Sequence, residues 1–409
     1  MAAVSGSGRA TAGAGSPVRP WRIVGQGGAA LTAGMGIGRF AYTPILPLMH
    51  AQAGLSPKLG AELATANYLG YLVGSLAAIA APALVRSRST LRVALLVLIG
   101  TLVLMPSTHV GALWSTFRLV AGAASALIFA IAVSALLTGL RAHAHHLIGW
   151  AFGGVGAGIA LSGGLVLILR TIGNWQEAWW GAVALAVPFA ALAWRLQTAW
   201  PAARSAAPAD QRDDALSLRW FTALLATYSL EGVGYIVAGT YLVAAIDQTA
   251  PSWVGTGAWV LVGLAALPSS ALWAWLSRTW SRPALLSTAL ILQVIGIALP
   301  VFAGGVVAAL VSATLFGATF LGVGTIVLAI GAHLQVPRAV AILTTGYSAG
   351  QVVGPLAVTP VLHNGYHQAL LIGAGVVAVA AVAAGALRHR FPHHLGPLPN
   401  RVRTSHLGV

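Results

Sequence analysis

Three ionisable side chains, Arg39, Arg118 and Glu231, lie inside long apolar segments of the sequence. If those segments cross a bilayer, each charge costs about 3 kcal/mol or more at the membrane centre, so such residues usually carry function. Glu231 follows Arg219 by 12 residues, about 18 Å of helical rise, which predicts a position near the membrane centre. Burial there favours the neutral carboxyl group of Glu231, whereas a neighbouring arginine favours the ionised carboxylate. A conformational change that altered these neighbours would bind or release a proton, so Glu231 is a candidate proton carrier. The alternative is a static ion pair with Arg39 or Arg118.

Arg39 lies in the outer half of the first apolar segment. Its guanidinium group can bind a carboxylate or phosphate through two hydrogen bonds, which indicates capture of an anionic solute. The alternatives are a structural ion pair and a side chain that extends toward lipid headgroups. We interpret Arg118 as architectural, held by backbone carbonyls between helices, with a coupling role as the alternative.

Uncharged polar residues recur at helical spacing around these charges. Asn67 and Tyr71 are four residues apart, as are Tyr347 and Gln351, so each pair shares one helix face. Tyr235 follows Glu231 by one turn. Hydrogen bonding between helices is the alternative role for the uncharged residues. The predicted substrate-binding set is Arg39, Tyr42, Asn67, Tyr71, Tyr235, Tyr347 and Gln351.

Other site chemistries find little support. The sequence has no cysteine, and its histidine clusters fall in a short loop and a Pro-rich tail. We therefore predict that these histidines are solvated and form no metal site. They are His143, His145, His146, His389, His393 and His394. Glycine-rich runs at 36–38 and 153–158 lie within apolar segments, which favours helix packing over nucleotide binding. No nucleophile–base pair or phosphate-binding loop occurs in the sequence. We therefore expect no enzymatic activity and no cofactor.

The composition indicates that membrane helices carry these residues. Hydrophobic residues make up 58% of the 409 and charged residues only 7%, against roughly 25% charged in soluble domains. The net charge is +15, but the basic residues occur singly between apolar runs and form no basic face, which argues against a nucleic-acid partner. Twelve segments approach the roughly 20 apolar residues that a span needs. They lie near 23–49, 62–85, 91–107, 113–139, 147–169, 175–195, 217–246, 253–276, 283–303, 305–332, 339–362 and 366–387.

Basic residues predict the orientation. Of the 22 Lys and Arg residues, 18 fall on the side that the positive-inside rule assigns to the cytoplasm, and Lys58 and Arg170 fall on the other. We therefore expect a multi-pass protein of the inner cell membrane with both termini in the cytoplasm. Tryptophans near the span ends predict an interfacial belt of Trp21, Trp114, Trp175, Trp253 and Trp280.

One long polar segment, 197–217, divides the chain into two predicted six-helix bundles, 21–196 and 218–387. The tails 1–20 and 388–409 are predicted to be disordered because they contain little that could be buried. The halves show weak similarity at an offset near 190–196, which aligns Gly122 with Gly317 and Gly158 with Gly350. The predicted fold class is therefore an all-α polytopic membrane protein with two pseudo-symmetric halves, as in repeat-built transporters.

Motifs in both halves narrow this prediction. The first half holds Gly36-Ile-Gly-Arg-Phe-Ala-Tyr-Thr-Pro-Ile-Leu-Pro47 and Ala66-Asn-Tyr-Leu-Gly-Tyr71, and the second holds Glu231-Gly-Val-Gly-Tyr-Ile236 and Gly350-Gln-Val-Val-Gly-Pro355. These stretches are similar to the YbfB/YjiJ-type branch of the major facilitator superfamily, which the chain resembles over essentially its whole length. The Asp of the motif after span two and the Gly-Pro of the antiporter motif are missing, and the second absence weakens an assignment to drug/proton antiport. The resemblance implies structural or gating roles for Arg118, Gly122, Gly158, Gly350 and Pro355.

These observations indicate a secondary transporter that moves a small solute by alternating access. We expect an anionic substrate and coupling to protons through Glu231. The alternatives are an exporter of hydrophobic or cationic compounds and, from other classes, an integral-membrane enzyme or a solute sensor. The expected partners are the solute, protons and the lipid bilayer, and we expect a monomer.

Overall fold

The computed structural model describes residues 20–140, 146–198, 214–334, 336, 338–388 and 391. Over these ranges the chain is helical, without a β-strand, as the sequence predicts. The helices are α1 Pro20–Leu31, α2 Tyr42–Ala53, α3 Pro57–Ala80, α4 Pro82–Val85, α5 Arg88–Leu104, α6 Gly111–Gly139, α7 His146–Ile172, α8 Trp175–Ala193, α9 Asp214–Ile246, α10 Ser252–Leu276, α11 Arg282–Phe302, α12 Val306–His333, α13 Ala339–Val358 and α14 Tyr366–Leu387. A π-helical segment, Thr32–Ile37, and two 3-10 segments, Met105–Ser107 and Thr359–Asn364, adjoin them.

Nine helical segments in the described part of the chain are long and apolar enough to cross a membrane. They correspond to α3, α5 with its 3-10 extension, α6, α7, α9, α10, α11, α12 and α14. The other three predicted spans coincide with the α1–α2 region, α8 and α13. The break predicted near 304–305 is present between α11 and α12. A polytopic helical fold is therefore confirmed, while the count of twelve spans stays a prediction.

The first predicted span, 23–49, is divided into two helices. After the π-helical segment, residues 38–41 form a turn in which the amides of Gly38 and Phe40 donate to carbonyls five residues back. Pro44 has no amide hydrogen and its ring crowds the carbonyl of Phe40, so a regular helix cannot continue through this point without strain. The break places Arg39 between α1 and α2.

Glycines allow α7, in the predicted first half, to pack directly on α10, in the second. Gly149 lies against Ala271, whereas Gly153 and Gly156 lie against the backbone of Leu267. A Cβ atom added at Gly149 would lie 2.8 Å from the Cα of Ala271, closer than carbon atoms pack. A side chain is therefore excluded at these glycine positions of α7, and the two helices run antiparallel with their backbones nearly touching.

The two ends of the molecule differ. On the predicted outer side, α2 and α9 are joined by a 2.6 Å hydrogen bond from Thr43 Oγ1 to the carbonyl of Gly239. His50 Nε2 and the Tyr366 hydroxyl form a 2.9 Å hydrogen bond, again between the predicted halves. On the predicted cytoplasmic side, an open cleft of about 620 Å³ lies between the two halves. Its lining includes Ala78, Ile79 and Pro82 of the first half and Gly331, Val336 and Val340 of the second.

Several sequence predictions fall on parts of the chain outside the described residues. These include most of the two tails, the central loop over 199–213, and the histidines at 143, 145, 389, 393 and 394. The boundaries proposed for the two bundles therefore stay predictions.

Candidate functional site

Arg39 lies at the centre of a buried cluster contributed by several helices. Its side chain is 2% exposed, and Nη2 donates a hydrogen bond to Oε1 of Gln351 on α13. The guanidinium carbon lies 4.3 Å from the ring centroid of Tyr71, 4.8 Å from that of Tyr68 and 5.5 Å from that of Phe40. Cation–π attraction of about 0.5–2 kcal/mol per ring therefore replaces part of the hydration that burial removes.

No acidic side chain neutralises Arg39 within the described residues. The one ion pair found there joins Arg170 and Asp247, with 4.0 Å between Nη2 and Oδ2. The Nε and Nη1 atoms of Arg39 are buried and have no hydrogen-bond partner among the described groups. A buried guanidinium normally has all its donors satisfied, so this group is poised to donate to a ligand.

Gln351 connects Arg39 to Tyr235. While its Oε1 accepts from Arg39, its Nε2 donates to the Tyr235 hydroxyl at 2.7 Å. Gln351 is 1% exposed and Tyr235 is 2% exposed. The amide is therefore held at both ends, which fixes the position of the guanidinium group relative to α9.

Tyr235 belongs to a set of near-parallel aromatic rings that we call the aromatic column: Tyr228, Tyr347, Tyr235, Phe320 and Phe316. The rings of Tyr228 and Tyr347 lie 4.3 Å apart, and those of Tyr347 and Tyr235 lie 5.3 Å apart. Beyond them, Tyr235 and Phe320 are separated by 6.1 Å with planes only 7° apart. Three helices, α9, α12 and α13, supply these rings.

Phe40 links the charged and aromatic parts of the cluster. Its ring centroid lies 6.1 Å from that of Phe320, edge to face, and 6.5 Å from that of Trp259. Trp259 is 1% exposed, and its Nε1 has no hydrogen-bond acceptor among the described residues. The cluster thus contains a third unused donor besides the two of Arg39.

Glu231 is fully buried on α9 and makes no ion pair with Arg39 or Arg118 in this conformation of the described chain. Its partner is Gln293 of α11, whose Nε2 donates to Oε1 at 3.2 Å. Oε2 of Glu231 and Oε1 of Gln293 both lack a partner among the described groups. Because both are acceptors, the pair is short of one donor hydrogen, which protonation of the carboxyl group would supply.

Arg118, Tyr42 and Asn67 form a neighbouring network. Arg118 donates to the carbonyls of Gly38 and Arg39 at 3.5 and 3.4 Å, and its guanidinium carbon lies 4.7 Å from the Tyr42 ring centroid. The Tyr42 hydroxyl donates to the Gly60 carbonyl, and Asn67 Nδ2 donates to the Arg118 carbonyl, both at 2.9 Å. Arg118 thus binds α6 to the break in the first span, and the other two hydrogen bonds connect α2 and α6 to α3.

The predicted substrate-binding set therefore divides into two groups. Five members belong to the Arg39 cluster: Tyr71 and Gln351 contact the guanidinium group of Arg39, Tyr235 contacts Gln351, and Tyr347 stacks on Tyr235. The remaining two members contact backbone carbonyls in the Arg118 network instead: Tyr42 and Asn67.

The glycines predicted as structural lie at close helix contacts. An added Cβ atom at Gly158 would lie 2.7 Å from the Cα of Gly36, which holds α7 against the π-helical segment. Gly122 of α6 faces the backbone of α3, and Gly350 of α13 faces the backbone of α9. Pro355 lies inside α13, three residues before that helix ends.

Comparison with known proteins assigns the chain to a family. A family model described as an uncharacterised MFS-type transporter, YbfB, matches residues 31–385. The chain belongs to this family. No curated protein matches. Among solved structures, this MFS-type transporter is similar to a crystal structure of a variant of the nucleoside transporter NupG, with a TM-score of 0.66 and 14% identity, covering 90% of this chain and 98% of that one.

At 14% identity the likeness to NupG shows the MFS fold alone. Family and fold together identify a multi-pass membrane protein that is a transporter and not an enzyme. The substrate is a separate matter, which depends on the side chains of the cluster.

Several residues of the cluster are absent from the predicted site. Tyr68 lies three residues before Tyr71 and so shares its helix face, a signal already available in the sequence. Gln293 is an amide within an apolar span, which is also an available signal. Phe320 and Trp259 look like ordinary apolar residues of spans, so the sequence has no signal for their role.

Proposed function

We propose that this MFS-type transporter moves a small monoanion across the inner membrane by alternating access, coupled to protons through Glu231. We place both termini on the cytoplasmic side, as the distribution of basic residues indicates. The observation that supports an anionic substrate is the buried Arg39, which has no acidic partner among the described residues and has donors to spare. A cationic solute would meet repulsion at the same point.

A carboxylate or similar monoanion satisfies what Arg39 lacks. Charge-assisted hydrogen bonds from a guanidinium group are shorter and stronger than neutral ones. Nε and Nη1 are available for such bonds, while Nη2 holds Gln351. The anion would thus bind without breaking the contact that positions the guanidinium group.

Glu231 is the residue through which we propose proton coupling. It is the only fully buried acid of the described chain, and it has an amide partner in place of a cation. An ionised carboxylate in such surroundings is costly unless a positive charge lies close by. A conformational change that altered the surroundings of Glu231 would therefore bind or release a proton.

The contacts between the two halves support alternating access. Hydrogen bonds join the halves on the predicted outer side, and on the cytoplasmic side a cleft lies between α3–α4 and α12–α13 while α7 and α10 stay in contact. The Arg39 cluster is buried between these two levels. We propose that rocking of the halves exposes the cluster to each side in turn.

Replacement of Arg39 by Gln tests the proposed function. Arg39→Gln should abolish binding and proteoliposome uptake of monoanions, while membrane insertion and the melting temperature Tm stay near those of the wild type. Arg88→Gln is the matched control, because Arg88 is exposed and outside the cluster. Uptake of neutral or cationic solutes that is unaffected by Arg39→Gln would contradict the anion proposal. Binding without flux in the wild type would instead favour a solute sensor.

A further inference from the structure

The rings of the aromatic column lie closer together at one end than at the end next to Arg39. Tyr228 and Tyr347 are stacked at 4.3 Å, whereas Tyr235, Phe320 and Phe316 have centroids 5.7–6.4 Å apart with planes 7–20° from parallel. Parallel flat faces are the surfaces on which another planar ring stacks well. The more widely spaced rings are the ones that Phe40 and Gln351 connect to the guanidinium group.

Unused acceptors lie at the Glu231–Gln293 pair, whereas the unused polar groups on the two side chains that contact Phe40 are donors. They are Nε and Nη1 of Arg39 and Nε1 of Trp259, each buried and without an acceptor among the described residues. Phe40 lies between them, with its ring 5.5 Å from the Arg39 guanidinium carbon and 6.5 Å from the Trp259 ring. A ligand that fits beside Arg39 needs acceptor atoms for the two unused donors of the guanidinium group and a flat apolar body for the neighbouring rings.

We infer that the monoanion is an aryl carboxylate, a planar aromatic ring that bears one carboxylate group. The carboxylate accepts from Arg39, and the ring stacks on the faces of Tyr235 and Phe320. This inference rests on the proposed function and narrows it. A short aliphatic acid satisfies Arg39 but leaves the aromatic faces unused, and a saturated ring is too thick and too curved to stack on them.

Three probes of matched size separate the ring from the charge. Benzoate has both features, cyclohexanecarboxylate keeps the charge on a saturated ring, and benzamide keeps the ring without the charge. Dissociation constants are measured on the purified full-length wild type by ligand-dependent shifts in Tm. We expect benzoate to bind about threefold to tenfold more tightly than cyclohexanecarboxylate, the effect of one aromatic stacking contact. It should bind at least about tenfold more tightly than benzamide, because benzamide loses the charge-assisted bonds to Arg39.

The outcomes distinguish the two levels of the proposal. Equal binding of benzoate and cyclohexanecarboxylate would overturn the aryl inference and leave the monoanion proposal standing. Equal binding of benzoate and benzamide would overturn the monoanion proposal itself. Absence of benzoate binding at millimolar concentration, with cyclohexanecarboxylate bound, would also exclude an aryl carboxylate.

A pair of variants locates the stacking surface. Phe320→Leu should reduce the preference for benzoate over cyclohexanecarboxylate to about one. Phe302→Leu makes the same change at a side chain that is 78% exposed, at the end of α11, and should leave the preference unchanged. Full preference in Phe320→Leu would place the ring elsewhere and refute the assignment. If that variant fails to fold, the three-probe comparison on the wild type decides the matter.

Discussion

Glu231→Gln is the substitution that tests proton coupling most directly. The Gln side chain has nearly the shape of a protonated Glu and cannot ionise. Its carbonyl oxygen can keep the 3.2 Å hydrogen bond from Gln293 Nε2, and its amide can donate to the Gln293 oxygen that otherwise lacks a partner among the described groups. The variant should therefore resemble the transporter with its proton bound.

The expected effects have different sizes in transport and in stability. A gradient of one pH unit corresponds to about 1.4 kcal/mol per proton, so a transporter that carries one proton with each monoanion accumulates it about tenfold. Glu231→Gln should reduce that ratio to about one. Stability should change by no more than about 1 kcal/mol, because one neutral hydrogen bond replaces another. Removal of one partner of a buried ion pair would cost about 3–5 kcal/mol instead, and the described residues show no such pair at Glu231.

The assay compares two transport modes in the same proteoliposomes. Accumulation is driven by a pH gradient, whereas counterflow exchange of labelled for unlabelled substrate needs no net proton movement. The variant should lose the first and keep the second, with a Tm near that of the wild type. Protein-free liposomes measure passive entry of the undissociated acid, and Glu62→Gln controls for loss of an exposed carboxylate. Tenfold accumulation by the variant would refute the proton-carrier role, and loss of both modes together with a large fall in Tm would indicate a structural one.

Three further substitutions test the surrounding structure. Burial raises the pKa of Asp247 from 3.8 to about 6 despite its arginine partner. Between those pH values the folded state therefore binds more protons than the unfolded state, so the wild-type Tm should fall relative to that of Asp247→Asn as the pH rises from about 4 to 6. A rise of the wild-type Tm relative to the variant would contradict this. Gly158→Val forces a side chain into the 2.7 Å approach to Gly36 and should cost about 1–3 kcal/mol of unfolding free energy in Tm or denaturant measurements, whereas Gly164→Val, which meets open space, should not. Arg118→Gln removes the donors to two backbone carbonyls at the break in the first span. The variant should therefore have both a lower Tm and weaker anion binding. An unchanged Tm would contradict an architectural role for Arg118.

Spacing and composition were sufficient for the local structure. The last span was predicted at 366–387, and the helix there is Tyr366–Leu387. The position and length of a membrane helix are set by the length of its apolar segment and by residues that are close in sequence, so they can be read from the sequence. Helical periodicity also placed Tyr347 and Gln351 on one face, and both belong to the cluster.

Contacts between distant helices could not be predicted in the same way. The alternative that the sequence leaves open for Glu231 is an ion pair with Arg39 or Arg118, but in the structure its partner is Gln293. Trp114 and Trp175 were predicted to face the membrane interface, yet both are buried and pack edge to face at 5.7 Å. The predicted interfacial Trp280 is 63% exposed. A tryptophan near a span end looks the same in sequence whether it faces lipid or another helix.

The contact between Arg39 and Gln351 has a consequence for synthesis of the protein. The two residues are 312 positions apart in the chain. At about 5–20 residues per second, the ribosome needs roughly 15–60 s to add the acceptor after the arginine has been made. Throughout that interval the nascent first span carries a guanidinium group without its eventual partner.

The rings of Tyr68 and Tyr71 arrive much sooner, about 30 residues after Arg39. Their cation–π contacts lie within 4.8 Å of the guanidinium carbon and need only the pairing of α3 with the first span. These two rings can therefore stabilise the charge of Arg39 by cation–π contacts before the later helices are inserted. Docking of α13 then supplies the acceptor, so this part of the chain reaches its final hydrogen bonding only late in biogenesis.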